Sequence, residues 1–324
     1  MLMNSTKLTL ANTMMIGVIM TTCSNNWISM WMGLEISMLS FLPFMVNKNK
    51  LSSESLVKYF IIQSVASTIF LLSVICMLIG VNMLNEMTLT MSMLIKLGSA
   101  PFHMWVLMII ETINYLPLFF LLTVLKIPPL SILYQINTKM LTIPIILSML
   151  VSSISCLNQS SMRKTLGFSS IYNISLMMIS INKFNVMMIY LMIYSTMMIL
   201  LTNICKKMKI NFINQMIFNE FSIWMKINMW INMLSMSGFP PLMGFSAKLM
   251  IIQTLMNNNE FIMVIILVLT SFLVMMFYMR LTFSSLMNLY SFKKWTLNKI
   301  TSVFYLFSLN LMLNVFYICS VSMM

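Results

Sequence analysis

Stretches of about twenty apolar residues follow one another along the whole chain, and that is the length a helix needs to cross roughly 30 Å of hydrocarbon. Eleven can be marked, at 1–22, 27–46, 59–79, 88–110, 113–134, 140–157, 166–181, 184–205, 227–256, 261–279 and 300–320. In lipid every backbone N–H and C=O must be satisfied within the protein, so runs of this kind fold as helices. The expected fold class is an all-α integral membrane protein with about 11 transmembrane helices. Composition agrees, because 60% of the 324 residues are hydrophobic, 8% are charged and mean hydropathy is +0.94. No soluble fold of that length needs so much apolar surface.

Against this background three lysines stand out: Lys96 in MLIKLGSAPFHMW, Lys126 in FLLTVLKIPPL and Lys248 in GFPPLMGFSAKLM. A charge at mid-bilayer depth costs about 2.5–3.5 kcal/mol on insertion scales, so ionisable residues there usually line a wet or ion-conducting path. Two of the stretches are also interrupted, one by Gly98-Ser99-Ala100-Pro101 and the other by Gly238-Phe239-Pro240-Pro241. Proline removes a backbone donor and breaks the helix. Broken helices within a bilayer are tolerated only where protein or an aqueous cavity meets the freed groups, and a broken segment in each half of a transporter points to its pathway. The expectation is an ion-moving membrane protein.

Charge placement orients the chain. Connections on one side hold Lys7, Lys48, Lys50, Lys58, Arg163, Lys164, Lys206, Lys207, Lys209, Lys226, Lys293, Lys294 and Lys299, whereas the other side holds Lys139 and Lys183 with Glu86 and Glu260. The positive-inside rule puts the first set on the cytoplasm-like side, with the N-terminus inside and the C-terminus outside. The net charge of +13 therefore reads as a topology signal and not as a nucleic-acid surface. The opening segment is read as a retained first span, with a signal peptide as the alternative. The 43 Met, few Gly and Pro, and 17 Lys against 2 Arg are what an A+T-rich gene yields, and they hint at a mitochondrially encoded product. Five scattered Cys, a single His and no Asp exclude most metal sites and catalytic triads. No GxGxxG after a strand, Walker loop or iron–sulfur spacing occurs.

Six blocks then carry a resemblance: TCSNNWISMWMGLEISMLSFLPF from Thr22, ESLVKYFIIQSVAS from Glu54, IKLGSAPFHMW from Ile95, CLNQSSMRKTLGFSSI from Cys156, LSMSGFPPLMGFSAK from Leu234 and FYMRLTFSS from Phe277. In this order and spacing the chain resembles the chain 2 family of mitochondrial NADH:ubiquinone oxidoreductase, antiporter-like subunits of the membrane arm of respiratory complex I. The resemblance covers 22–285. It implies an antiporter-like fold with two inverted five-helix bundles and two broken helices, the first bundle at 1–137, the second at 138–286, and a loop and final transmembrane helix at 287–324. It implies proton translocation as a non-redox subunit of an H+-translocating NADH:ubiquinone reductase in the mitochondrial inner membrane, with the N-terminus in the matrix and the C-terminus in the intermembrane space. No cofactor is expected in this chain, and NADH, FMN, iron–sulfur clusters and ubiquinone are expected in other subunits. The implied partners are neighbouring antiporter-like chains, accessory subunits and lipids such as cardiolipin, with no nucleic acid.

Matched motif by motif, the resemblance assigns proton transfer to Glu35 in MGLEISM, paired with Lys96, and to Lys126 and Lys248. His103 either extends the relay or satisfies a backbone carbonyl. The sequence departs from the family at SSIYNIS, where Asn173 stands in place of a titratable group, so a relay there uses water or Tyr172, and at Ala247 and Leu249, where Pro and Trp are common. Lysine suits the role physically because burial favours its neutral form and a nearby carboxylate its charged form. Arginine would stay charged throughout. Two other readings stay open at this level: a stand-alone cation/proton antiporter subunit, and a structural membrane-arm subunit whose lysines only pin helices.

Overall fold

The structure, a computed structural model, describes residues 5–46, 50–80, 83–136, 139–218, 223–240 and 242–287. The eleventh apolar stretch, Lys48, Lys293, Lys294, Lys299 and Glu220 lie outside the described residues. Helices dominate: α1 Ser5–Cys23, α2 Trp27–Met45, α3 Lys50–Ile79, α4 Met83–Leu97, α5 Met104–Thr112, α6 Tyr115–Leu122, α7 Ile127–Ile136, α8 Thr142–Cys156, α9 Met162–Ile179, α10 Phe184–Met208, α11 Ile213–Phe218, α12 Ile223–Ser237, α13 Met243–Asn257 and α14 Phe261–Met287. Five segments are by themselves long and apolar enough to cross a membrane, at Trp27–Met45, Leu51–Met77, Tyr115–Ile136, Phe184–Met208 and Phe261–Ser284. The chain divides into two compact units, one of Met1–Ser148 and Met177–Phe184, the other of Met149–Leu176 and Asn185–Met324.

In the first unit, α1 and α2 pack as neighbours joined by a short link. Their approach depends on two glycines: a Cβ on Gly17 would sit 2.9 Å from the Gly33 carbonyl oxygen, and one on Gly33 2.8 Å from that of Gly17. The third helix packs on α2, α4 and α5, and it is patterned opposite to a helix of a soluble protein. Its outer face carries exposed Val57, Ile61, Val65, Leu72 and Ile75, while its buried face carries Ser52, Ser55, Tyr59, Gln63 and Ser67. Spacings of three and four keep the inner set on one stripe of the helix. Apolar groups face outward because lipid is the solvent there, and polar groups face inward where they find partners. The Ser55 hydroxyl, for example, donates to the Ser52 carbonyl.

The first break falls where the sequence puts it. Gly98 has φ +65°, a left-handed conformation that costs glycine little. Its N–H and that of Ser99 turn back to the Leu94 carbonyl, which ends α4. A second interruption was not legible as such: between α6 and α7 the chain tightens into a 3-10 turn at Val124–Lys126. Pro128 and Pro129 follow, so neither can donate to the carbonyl four residues back, and the Ile127 N–H closes on Val124 instead.

The second unit is built on α10 and on α14, which packs with α11, α12 and α13. Between α12 and α13 lies the second break, with Gly238 at φ +77°. The Gly238 N–H donates to Ser235 and the Phe239 N–H to Leu234, repeating the pattern at Gly98. A Cβ on Gly244 would fall 1.8 Å from the Ser235 carbonyl oxygen, so only glycine lets α13 turn back so tightly on the end of α12. Exposed Ile262, Ile265, Leu269, Phe272 and Met276 form an apolar stripe on α14.

Candidate functional site

Each unit holds a cavity, and each cavity is lined by intramembrane lysine. In the first unit a cavity is bordered by Ser37, Tyr59, Gln63, Lys96, Trp105 and Lys126. Lys96 reaches it from the last turn of α4, Lys126 from the 3-10 turn, and Tyr59 and Gln63 from the polar stripe of α3. In the second unit a cavity is bordered by Asn173, Tyr190, Tyr194, Ser235, Gly244 and Lys248. All three lysines are buried, with relative exposures of 6%, 2% and 6% for Lys96, Lys126 and Lys248.

Their partners differ. The Lys126 ammonium donates to the Leu97 carbonyl and lies 5.4 Å from the centroid of the Trp105 ring. Trp105 is itself fixed, its Nε1–H donating to the Ile95 carbonyl at 3.0 Å. The Lys248 ammonium donates to the Ser237 carbonyl and lies 5.5 Å from the centroid of the Tyr172 ring. Lys96 makes no such bond among the described residues; it is buried, faces the cavity and feels the charge of Glu35 through space.

Glu35 lies on α2, part-exposed, and its charge also reaches Tyr59. No direct ion pair joins Glu35 to Lys96; among the described residues a direct ion pair does join Glu54 to Lys58 at 2.5 Å on the exposed side of α3. His103 stands just before α5, half-buried, with no partner for its Nδ1 among the described residues and no place on the cavity lining. Asn173 is engaged, accepting a hydrogen bond from the Tyr190 hydroxyl at 2.6 Å in the second cavity.

The structure thus gathers Lys96 and Lys126 on one cavity with Glu35 nearby, and sets Lys248 on another. The sequence reading passed over Tyr59, Gln63, Trp105, Tyr190 and Ser235. For Tyr59 and Gln63 the signal was present as polar residues at helical spacing inside an apolar run. For Trp105, Tyr190 and Ser235 no local pattern marks the role, because each acts across helices distant in sequence.

The chain as a whole has counterparts among known proteins. The family model of the NADH:quinone oxidoreductase/Mrp antiporter transmembrane region matches residues 24–274. Among solved structures, a chain of respiratory complex I from Thermus thermophilus superposes with a TM-score of 0.82 at 18% identity, covering 96% of this chain and 78% of that one. A chain of the Mrp complex from Dietzia sp. gives a TM-score of 0.74 at 14% identity over 84% of this chain and 59% of that one. Within this class one set of relatives is nearer. NADH-ubiquinone oxidoreductase chain 2 of Anopheles gambiae is 34% identical over 90% of this chain and 91% of its own length. That of Didelphis virginiana is 36% identical over 86% and 84%. The chain belongs to the NADH-ubiquinone oxidoreductase chain 2 family.

Proposed function

We propose that this chain is an antiporter-like core subunit of proton-pumping NADH:ubiquinone oxidoreductase, moving protons through Glu35, Lys96, Lys126 and Lys248. The carrying observation is Lys96, a buried lysine that makes no hydrogen bond among the described residues and shares a cavity with Lys126. An isolated buried charge is costly, and it is retained where it must change its protonation state. Glu35 supplies the bias. Through a low-dielectric interior a carboxylate a few ångströms nearer or farther changes the field on Lys96 strongly. Moved closer, Glu35 holds the proton on Lys96; moved away, it releases it to water in the cavity, and the neutral amine of Lys126 accepts it. In the second cavity Lys248 repeats the exchange, with Tyr190, Tyr194 and Ser235 as polar walls and Asn173 as an anchor in place of a titratable group.

The same reading supplies the rest of the picture: about eleven crossings, inverted bundles at 1–137 and 138–286, a final helix within 287–324, residence in the mitochondrial inner membrane with the N-terminus in the matrix, and contacts with neighbouring antiporter-like chains, accessory subunits and lipids such as cardiolipin. His103 enters as an optional outer station. The matching breaks at Gly98 and Gly238 support the repeat, and the basic residues grouped on alternate connections support the orientation. One observation favours a second reading, that of a structural subunit: Lys126 and Lys248 both bind helix-end carbonyls, as pins would.

Purification in mild detergent tests the assignment. Co-migration in a large assembly with NADH oxidation activity is the expected result, and isolation as a free chain or a small antiporter complex contradicts it.

A further inference from the structure

The two carbonyl contacts share a construction that neither the family match nor the lysines themselves explain. In each unit a helix is stopped by a glycine in the left-handed region, Gly98 or Gly238. The residue just before that glycine, Leu97 or Ser237, presents the last carbonyl of the stopped helix, and a lysine from farther along the chain donates to it. Over each ammonium lies an aromatic face, Trp105 or Tyr172, at nearly the same distance, 5.4 Å and 5.5 Å. The two rings differ in type and in chain position, one following the break and one preceding it. The same chemistry is therefore reached twice by different residues.

Among the described residues neither lysine has a carboxylate in ion-pair contact, whereas the charge of Glu35 acts on Lys96. What stabilises the ammonium is then the negative end of a helix dipole, one hydrogen bond to a charged donor, and a ring quadrupole. All three weaken when the proton leaves. A neutral amine keeps only an ordinary hydrogen bond to the carbonyl and is free to turn into the cavity. A carboxylate would instead have kept the proton in place.

We propose that Lys126 and Lys248 each sit in a carboxylate-free seat made of a helix-end carbonyl and an aromatic face, and that Trp105 and Tyr172 are the positioning residues of these two seats. The proposal rests on the proton-translocating reading above and deepens it: the seat holds the charged lysine and lets go of the neutral one, so that proton loss and side-chain movement are one event. Trp105 is tied to the same helix end that it serves, since its indole N–H donates to Ile95. That carbonyl also receives the Gly98 N–H, so removing the indole donor leaves it satisfied.

The test compares Trp105→Phe with Trp105→Leu, and Tyr172→Phe with Tyr172→Leu, in the whole enzyme reconstituted into vesicles. Assembly, NADH:ubiquinone turnover and the proton-to-electron ratio are read together, with Lys126→Met and Lys248→Met as references. The Phe variants keep a π face and are expected to keep the ratio. The Leu variants are expected to assemble but to lose proton movement toward the level of the lysine variants. If the lysine variants leave the ratio unchanged, the proton-translocating reading fails. If they lower it while the Leu variants do not, or if Phe and Leu lower it alike, the seats fail and that reading stands. Should the Leu variants not assemble, Trp105→Met and Tyr172→Met, which fill the space with a flexible chain, take their place. Loss of assembly with Leu and Met but not with Phe would assign the rings to packing and overturn the proposal.

Discussion

Replacing Gly238 by alanine should do more harm than one added methyl group normally does. At φ +77° the backbone is left-handed, which costs a residue with a Cβ about 1–2 kcal/mol. The new Cβ would also stand 2.8 Å from both Cε and Nζ of Lys248 and 2.9 Å from its Cδ. Carbon contacts are comfortable only at about 3.5–4.0 Å, so the lysine must withdraw from the Ser237 carbonyl. A hydrogen bond from a charged donor is worth about 1.5–3 kcal/mol. Only the lost bond counts against the seated lysine, about 1.5–3 kcal/mol or roughly tenfold to 150-fold in its population, while the backbone cost falls on the stability of the fold. Gly80 provides the control, being left-handed at φ +97° with nothing within 4 Å of its added Cβ. Gly80→Ala should cost the backbone share alone, about 1–2 kcal/mol. Thermal inactivation of the assembled enzyme and its proton-to-electron ratio are the assays. Gly238→Ala is expected to lower both, and Gly80→Ala to lower stability slightly while leaving the ratio intact. Equal behaviour of the two variants would refute the close contact between Gly238 and Lys248.

Three further outcomes follow from the same geometry. Glu35→Gln removes the charge acting on Lys96 but keeps the size of the side chain, so proton-coupled turnover should drop more than assembly does; a well-assembled variant with normal coupling would remove Glu35 from the relay. Gly33→Leu places a branched side chain where even a Cβ would meet the Gly17 carbonyl oxygen at 2.8 Å, and the α1–α2 contact should separate, seen as reduced assembly on native gels; full assembly would contradict that contact. Single cysteines introduced into the Lys206–Lys226 connection of a chain cleared of its own accessible thiols should react with a membrane-impermeant reagent only from the matrix side, and labelling from the intermembrane space would reverse the orientation.

Much of the fold was readable because lipid imposes a single rule on the backbone. Apolar length pointed to helices, and among the described residues helices form along the chain, five segments being long and apolar enough by themselves to cross a membrane; Gly98-Ser-Ala-Pro and Gly238-Phe-Pro-Pro marked two breaks, since those residues remove donors and allow left-handed turns. The 3-10 turn at Lys126 was missed although KIPPL carries the same kind of signal; a proline pair inside a strongly apolar run was read as part of a continuous span. Of the site, the lysines were legible because a charge in an apolar stretch demands a reason. Their partners were not. Leu97 and Ser237 act through backbone carbonyls, which every residue has, and Trp105 acts through a ring face that a sequence cannot distinguish from packing; Tyr172 stood out as a relay group beside Asn173, but its place over Lys248 did not. The expected contact between Glu35 and Lys96 is an influence through space and not a direct ion pair.

The central claim is that buried ammonium groups in this chain carry protons, and Lys96 tests it most directly because no hydrogen bond among the described residues gives it a pinning role. Lys96→Met keeps an unbranched, largely apolar side chain and removes the titratable group. The measurement is the number of protons translocated per electron by the assembled enzyme in sealed vesicles, alongside NADH oxidation. A lowered ratio with assembly retained is the predicted result, and an unchanged ratio in fully assembled enzyme contradicts the account.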